Sequence, residues 1–263
     1  MTDGRFALVT GGAQGIGFAT AKRFLEIGFG GVLLVDRNGG RLEENAAILS
    51  ELGRVETLEG DLMDLALPAR AVGTALDAFG RLDVLVNAAG NTERCGITDT
   101  SHESYERLFG VNVRAPLFLM QEALISMVQQ KSGTIINVSS MLAYGGPPNL
   151  ATYSASKAAL CTLTKSAANT VKRDGVRIFA INLGWVHTEG EQALQTSFHN
   201  MPEDWAEHIG KRMPSGRLQR PDDVAGVMEF LVSRPAQMMT GAIIDYEQMP
   251  AGVFDDHPAL APA

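Results

Sequence analysis

Thr10-Gly11-Gly12-Ala13-Gln14-Gly15-Ile16-Gly17 stands directly after the apolar run 6–10 and opens an amphipathic segment that reaches residue 27. A strand, a glycine-rich turn and a helix in immediate succession are the context in which a chain binds a dinucleotide. Glycine permits the tight turn with positive φ, and its missing Cβ lets backbone amides approach a pyrophosphate at the positive end of the helix. Gly11, Gly15 and Gly17 are spaced as G-x-x-x-G-x-G rather than the general G-x-G-x-x-G, with Gln14 and Ile16 inside the turn. A turn that only packs helix against strand is the alternative, and the strand-turn-helix order weighs against it.

Outward from this turn, short apolar runs at 6–10, 31–36, 54–59, 84–87, 134–139, 177–182 and 242–245 alternate with helix-period segments at 15–27, 39–52, 68–79, 101–131, 153–174 and 221–233. Runs without polar alternation are strands covered on both faces. The pattern predicts an α/β fold of Rossmann type: a doubly wound, mainly seven-stranded parallel sheet with helices on both faces, as a single domain over residues 1–250. Segment 101–131 is expected to bend or break around 110–116, because Pro116 lacks a donor and clashes one turn back. Residues 185–214 interrupt the rhythm; long, polar and carrying Trp205, they read as a substrate lid. A tail containing Pro and Ala occupies 251–263.

With 263 residues, 45% hydrophobic and 20% charged, the chain has enough apolar material for a large core. Its net charge of −8 and its scattered basic pairs, Lys22-Arg23, Lys172-Arg173 and Lys211-Arg212, argue against a nucleic-acid partner, since phosphate recognition rests on clustered Lys and Arg. Strand-like sequence begins at Phe6, with no secretory apolar region before it and no apolar run long enough to span a bilayer, so a cytoplasmic protein without a membrane partner is expected. Cys95 and Cys161 read as reduced packing thiols. The histidines are scattered, without metal-ligand spacing, and no metal is expected.

Asp36 ends the second apolar run, where a carboxylate accepts both hydroxyls of an adenosine ribose and repels a 2′-phosphate. This favours NAD(H) over NADP(H), although the adjacent Arg37 would attract that phosphate. Farther along, Tyr153-Ser154-Ala155-Ser156-Lys157 puts a phenol and an ammonium on one face of a helix. A neighbouring cation favours the phenolate and brings a group of pKa about 10 towards the range of a working acid/base. Taken alone, Y-x-x-x-K is common by chance and reads as an ordinary helix start.

It does not stand alone. TGGAQGIG, Asn87-Ala88-Ala89-Gly90 after the fourth apolar run, Ser139-Ser140 after the fifth and Tyr153-x-x-x-Lys157 together resemble the ordered motifs of the short-chain dehydrogenase/reductase family, over about 6–245. The resemblance implies Tyr153 as general acid/base, Lys157 as the group that lowers its pKa and holds the nicotinamide ribose, and Ser140 as the ligand of the substrate oxygen. It implies Asn112 as the holder of a water that links Lys157 to solvent. Asp61 and Leu62 would contact adenine, and Asn87, Ala88, Ala89 and Gly90 would lie beside the adenosine ribose. The family's Pro-Gly pair after the sixth strand is replaced here by Leu183-Gly184-Trp185-Val186-His187-Thr188, in which Gly184, Val186 and Thr188 keep the match for holding the nicotinamide end. A homotetramer is also implied.

The reaction so implied is reversible hydride transfer between a nicotinamide cofactor and a secondary alcohol or ketone, a small-molecule substrate. The polar lid, which includes Trp185 and Glu191, points to a small polyol or sugar rather than an apolar ligand, and Tyr144 and Asn149, on the loop before Tyr153, are further candidates for touching substrate. Two competing readings are a 3-oxoacyl carrier-protein type reductase, which calls for a basic docking patch where this lid carries Glu189, Glu191, Glu203, Asp204 and Glu207, and a non-catalytic NAD-binding scaffold, which would not need Tyr153 and Lys157.

Overall fold

In a computed structural model of the chain, which describes residues 4–250, the apolar runs become β1 (Phe6–Thr10), β2 (Gly31–Asp36), β3 (Arg54–Glu59), β4 (Val84–Asn87), β5 (Gly133–Ser140), β6 (Val176–Leu183) and β7 (Ile243–Tyr246). They pair in the order β3-β2-β1-β4-β5-β6-β7, each pairing parallel. The expected seven-stranded doubly wound sheet is therefore present. The fifth and sixth strands exceed their sequence estimates at both ends, so that Ser140 is the last residue of β5. The tail at 251–263 lies outside the described residues.

Parallel strands need crossovers, and the helices supply them: α1 (Gly15–Glu26), α2 (Gly39–Leu49), α3 (Leu67–Phe79), α4 (His102–Phe109), α5 (Ala115–Gln130), α6 (Ala151–Thr170) and α9 (Pro221–Val232), with short α7 (Glu189–Ala193) and α8 (Trp205–Gly210) in the segment 185–214 that the sequence suggests as a lid and that is called the lid below. Successive strand residues point to opposite faces. Ala7 and Val9 join one core with Phe24 of α1 and Met228 of α9, while Leu8 joins the other with Ala71 of α3 and Leu119 of α5. Each large apolar side chain so buried contributes about 1.5–3 kcal/mol of transfer free energy, which holds both layers on the sheet.

Segment 101–131 does break, for a different reason from the one expected. Residues Gly110–Arg114 form a π-helical turn between α4 and α5, and Pro116 sits in the first turn of α5, where its missing N–H is of no consequence. By length and composition 102–130 could cross a membrane, contrary to the sequence estimate. Here α5 buries Leu119, Met120, Ala123 and Met127 in the core of the domain.

β1 and β4 are neighbours, with β2 and β3 on one side and β5 to β7 on the other. Crossovers leave this junction in opposite directions, which opens a crevice beyond the carboxyl ends of the strands. The glycine-rich turn follows β1 at this edge, Ser140 ends β5, and the lid follows β6.

Candidate active site

Gly11 adopts φ +73, and a Cβ on it would stand 2.9 Å from the Ala89 nitrogen; a Cβ on Gly17 would strike the Gly11 carbonyl oxygen. The turn is thus pressed against the end of β4, and only glycine fits both places. Ala89 N donates to Thr10 Oγ1 (3.2 Å), which fixes that contact. Gln14, the residue before α1, provides no side-chain cap and the first turn of α1 has no acid, so its leading amides remain for other acceptors. Such a cradle fits the diphosphate of a dinucleotide.

Around it, Asp36 closes β2, its Oδ2 accepting Ala13 N (3.2 Å) and its Oδ1 accepting Asn38 N (3.1 Å), while Arg37 is exposed. Asp61 accepts Met63 N (2.9 Å) in the turn after β3, and Leu62 is buried. The Asn87 Nδ2 donates to Asn137 Oδ1 (2.8 Å) inside the sheet while its buried Oδ1 has no hydrogen-bond partner among the described residues, and the segment 87–90 continues through Ala88 and Ala89 to exposed Gly90. Gly184 N donates to the Tyr246 carbonyl (3.1 Å), Val186 bridges to Gln219, and Thr188 packs where a Cβ on Gly15 would point. Ile16 is half-buried in the first turn of α1.

The four residues grouped by the sequence come together on β5, α6 and the π turn. Lys157 is buried and donates to the Val138 carbonyl (2.9 Å), with its Nζ 5.7 Å from the centre of the Tyr153 ring. Tyr153 shares a hydrogen bond with Ser140, whose Oγ also accepts Leu142 N (3.2 Å). Asn112 is held from both ends: its Oδ1 accepts Asn91 N (2.8 Å), and its Nδ2 donates to Asn91 O (2.9 Å) and Ser156 Oγ (3.0 Å). Asn112 lies in the π turn, and a Cβ on Gly90 would stand 3.7 Å from its Oδ1 and 3.6 Å from Lys157 Nζ, so the two side chains flank the same glycine.

The electrostatics correct one expectation. Burial pushes the Tyr153 phenol up to about 12, the Ser140 hydrogen bond opposing and the Glu191 charge reinforcing it. Burial likewise brings Lys157 down to about 8. Within the chain itself, then, desolvation decides the position of the half-buried Tyr153 phenol, and the ammonium that was expected to lower it is buried and directed at the Val138 carbonyl instead.

The lid divides the remaining candidates. Glu191 Oε1 accepts Trp185 Nε1 (2.9 Å) and Gln195 Nε2 (2.8 Å), so both bonds hold its carboxylate within the segment after β6. Trp185 meets Trp205 at 5.3 Å with the rings tilted by 34°, Trp205 itself being fully buried and donating to Gln192 Oε1 (2.8 Å). Tyr144 turns away: its hydroxyl donates to Asp245 (3.1 Å), lining a cavity of about 270 Å³ with Cys161 and Lys165 instead of meeting Tyr153. Asn149 is exposed on the 3-10 turn Pro148–Leu150. Cys95 and Cys161 are both free thiols.

Several supporting groups were not apparent in the sequence. Asn91, Ser156 and the Val138 carbonyl fix Asn112 and Lys157, and Glu189 Oε2 accepts Gly15 N (3.2 Å) from across the crevice. Only Ser156, one residue before Lys157, carried a local signal; the others depend on register and on the lid's path.

A family model described as short chain dehydrogenase matches residues 5–197. Sorbitol dehydrogenase of Cereibacter sphaeroides is 35% identical over 240 residues, covering 89% of this chain and 92% of that one. A 3-oxoacyl-[acyl-carrier-protein] reductase of Thermotoga maritima is 30% identical and covers 92% and 96% of the two chains. Among solved structures, NAD+-bound xylitol dehydrogenase superposes with a TM-score of 0.85 at 28% identity, over 94% of this chain and 98% of that one.

Proposed function

The chain belongs to the short-chain dehydrogenase/reductase family of oxidoreductases, and from that premise we propose that it is an NAD(H)-dependent enzyme interconverting a small polyol or sugar and the corresponding ketone. The observation that carries the reaction is the convergence of Tyr153, Lys157, Ser140 and Asn112, drawn from β5, α6 and the π turn, at one point of the crevice.

In alcohol oxidation a bound oxidised dinucleotide supplies a positively charged nicotinamide ring and the acceptor for the hydride. Ser140 orients the substrate hydroxyl, and Tyr153 takes its proton as the carbon–hydrogen bond breaks. Lys157, buried beside the ring, holds the ribose hydroxyls and stabilises the phenolate form; Asn112 fixes the polar end of the route by which the proton leaves. Gly11, Gly15 and Gly17 with Gln14 and Ile16 form the diphosphate cradle. Asp36 selects the unphosphorylated ribose over the pull of Arg37, and Asp61, Leu62 and the backbone of 87–90 line the adenosine end. Gly184, Val186 and Thr188 take the nicotinamide end.

The polyol reading draws on the polar lid, 185–214, in which the Glu191 carboxylate and the Trp185 indole are hydrogen-bonded to each other, and on the similarity to the sorbitol and xylitol dehydrogenases. An acyl group on an acidic carrier protein fits this lid less well, since Glu189, Glu191, Glu203 and Glu207 face such a partner with like charge. Exposed Leu117, Phe118 and Ile125 on α5 support assembly of a homotetramer, which sedimentation would detect. The decisive test is the near-ultraviolet absorbance of reduced nicotinamide during turnover of C4 to C6 polyols, secondary alkanols and a hydroxysteroid with NAD and with NADP. Polyols with NAD are expected to give the highest kcat/KM. A tenfold preference for the apolar alcohols, about 1.4 kcal/mol of transition-state stabilisation, would overturn the substrate reading.

A further inference from the structure

The amide of Gly15 lies at the start of α1, where the diphosphate of a dinucleotide is to be received, and it already has an acceptor: Glu189 Oε2 at 3.2 Å, from a residue 174 positions away. The contact is part of a small interface. A Cβ on Gly15, at φ +55, would meet Thr188 Cγ2 at 3.2 Å, and one on Gly190 would meet Gln14 Nε2 at 2.8 Å, so the turn 188–190 lies directly on the glycine-rich turn. Gln14 is braced from the other side by Arg41, which donates to its Oε1 (3.0 Å).

The helix has reason to recruit this carboxylate. Its first turn contains no acid and its cap residue supplies no side-chain acceptor, so a negative charge brought from elsewhere satisfies an orphan amide and complements the positive end of the dipole. The element that brings it is slight: α7 has five residues, capped by Thr188 Oγ1 accepting Glu191 N (3.1 Å), and Glu189 itself is exposed.

We propose that Glu189 is a built-in competitor for the cofactor, its carboxylate occupying the Gly15 amide that the diphosphate requires, so that dinucleotide binding has to displace the first turn of the lid. A carboxylate and a diphosphate cannot share one N–H, and their like charges add to the exclusion. The same short turn carries Glu191, tethered to Trp185, so the displacement that admits the cofactor also moves that pair. The inference rests on the nucleotide-binding reading above.

It is tested by equilibrium titration of the purified protein with NADH, read by quenching of Trp185 and Trp205, both of them lid residues. Glu189→Gln and Glu189→Ala should tighten the Kd roughly threefold to tenfold, the range in which a charge at a helix end acts. Glu189→Asp, which keeps the charge but shortens the reach, should behave like them. Glu207→Gln, a lid acid paired with Lys211 away from the cradle, should leave the Kd within twofold. Without cofactor, Glu189→Gln should also unfold at a lower temperature than the parent, because α1 loses its counter-anion. Kd values for Glu189→Gln and Glu189→Ala equal to or weaker than the parent's would overturn the proposal, as would an Asp variant that binds like the parent, which would mark a general field effect. Failure of the parent to bind NADH or NADPH at all would instead defeat the nucleotide-binding reading, and this inference with it.

Discussion

Helix α6 and the lid both present polar groups to one crevice, yet they hold them by opposite means. On α6, Lys157 is buried and Tyr153 half-buried, and they are fixed by a strand carbonyl, a strand serine and the packing of a 20-residue helix. On the lid, Glu189 and Glu191 sit on a five-residue turn and are fixed by one amide, one indole and one glutamine. The groups on α6 keep their geometry at the cost of displaced protonation equilibria, whereas the lid groups hang on a short turn with few contacts and can be moved by whatever enters. Substitutions in the first region should therefore act on chemistry and on pH dependence, and those in the second on binding.

The largest expected effect is at the phenol. Tyr153→Phe should lower kcat by roughly 10² to 10⁴ while NADH affinity stays within about twofold, since the ring still packs but no proton carrier remains. Single-turnover kinetics with a polyol would check this, and retention of a tenth of the parent kcat would end the distinction drawn between α6 and the lid.

Next comes Lys157, whose buried ammonium lies near 8 rather than its ordinary 10.5. Between those values the unfolded chain retains a proton that the folded chain has lost, so stability rises with pH across this window, by about 3 kcal/mol in all. Lys157→Met should unfold at a higher temperature than the parent at pH 7, and the gap should close by pH 10.5. Tyr153 works in the other direction: held up to about 12, it keeps a proton that the unfolded chain sheds from pH 10, so its contribution falls above pH 10. A gap that stays constant from pH 7 to pH 10.5 would mean that Lys157 titrates normally in the fold.

A more modest change, about tenfold in the ratio of kcat/KM for NAD to that for NADP, is expected from Asp36→Ser. The loss of a ribose acceptor and of a repelling charge leaves Arg37 to meet the phosphate. If the parent itself favours NADP, Arg37 governs the choice and Asp36 serves the turn through Ala13 and Asn38.

The smallest effect sharpens the lid side of the comparison. Glu191→Gln should reduce kcat/KM for sorbitol about threefold to tenfold, mainly through KM, and leave a simple secondary alkanol nearly unchanged. Equal losses for both substrates would mean that Glu191 acts through the position of Tyr153 and not by touching substrate.

The sequence by itself marked the strand runs of a parallel sheet, the glycine-rich turn and the Tyr153–Lys157 pair, because these follow from local rules: strand runs without polar alternation, glycines where no Cβ fits, and a phenol and an ammonium one helical turn apart; the resemblance to a family, not spacing, joined Ser140 and Asn112 to that pair. It also marked 110–116 as irregular, though it credited Pro116 with a break that belongs to the π turn Gly110–Arg114. Only the tertiary structure decided what depends on partners distant in the chain. Tyr144 is adjacent in sequence to the catalytic segment, but Asp245, about a hundred positions on, draws its hydroxyl away. Lys157 has the right spacing to lower the Tyr153 pKa, but spacing carries no information about burial, and burial dominates both groups. The meeting of Glu189 with Gly15 had no local signal either, since it arises where the chain after β6 folds back over the turn after β1, and long-range placement of that kind is fixed by packing rather than by sequence pattern.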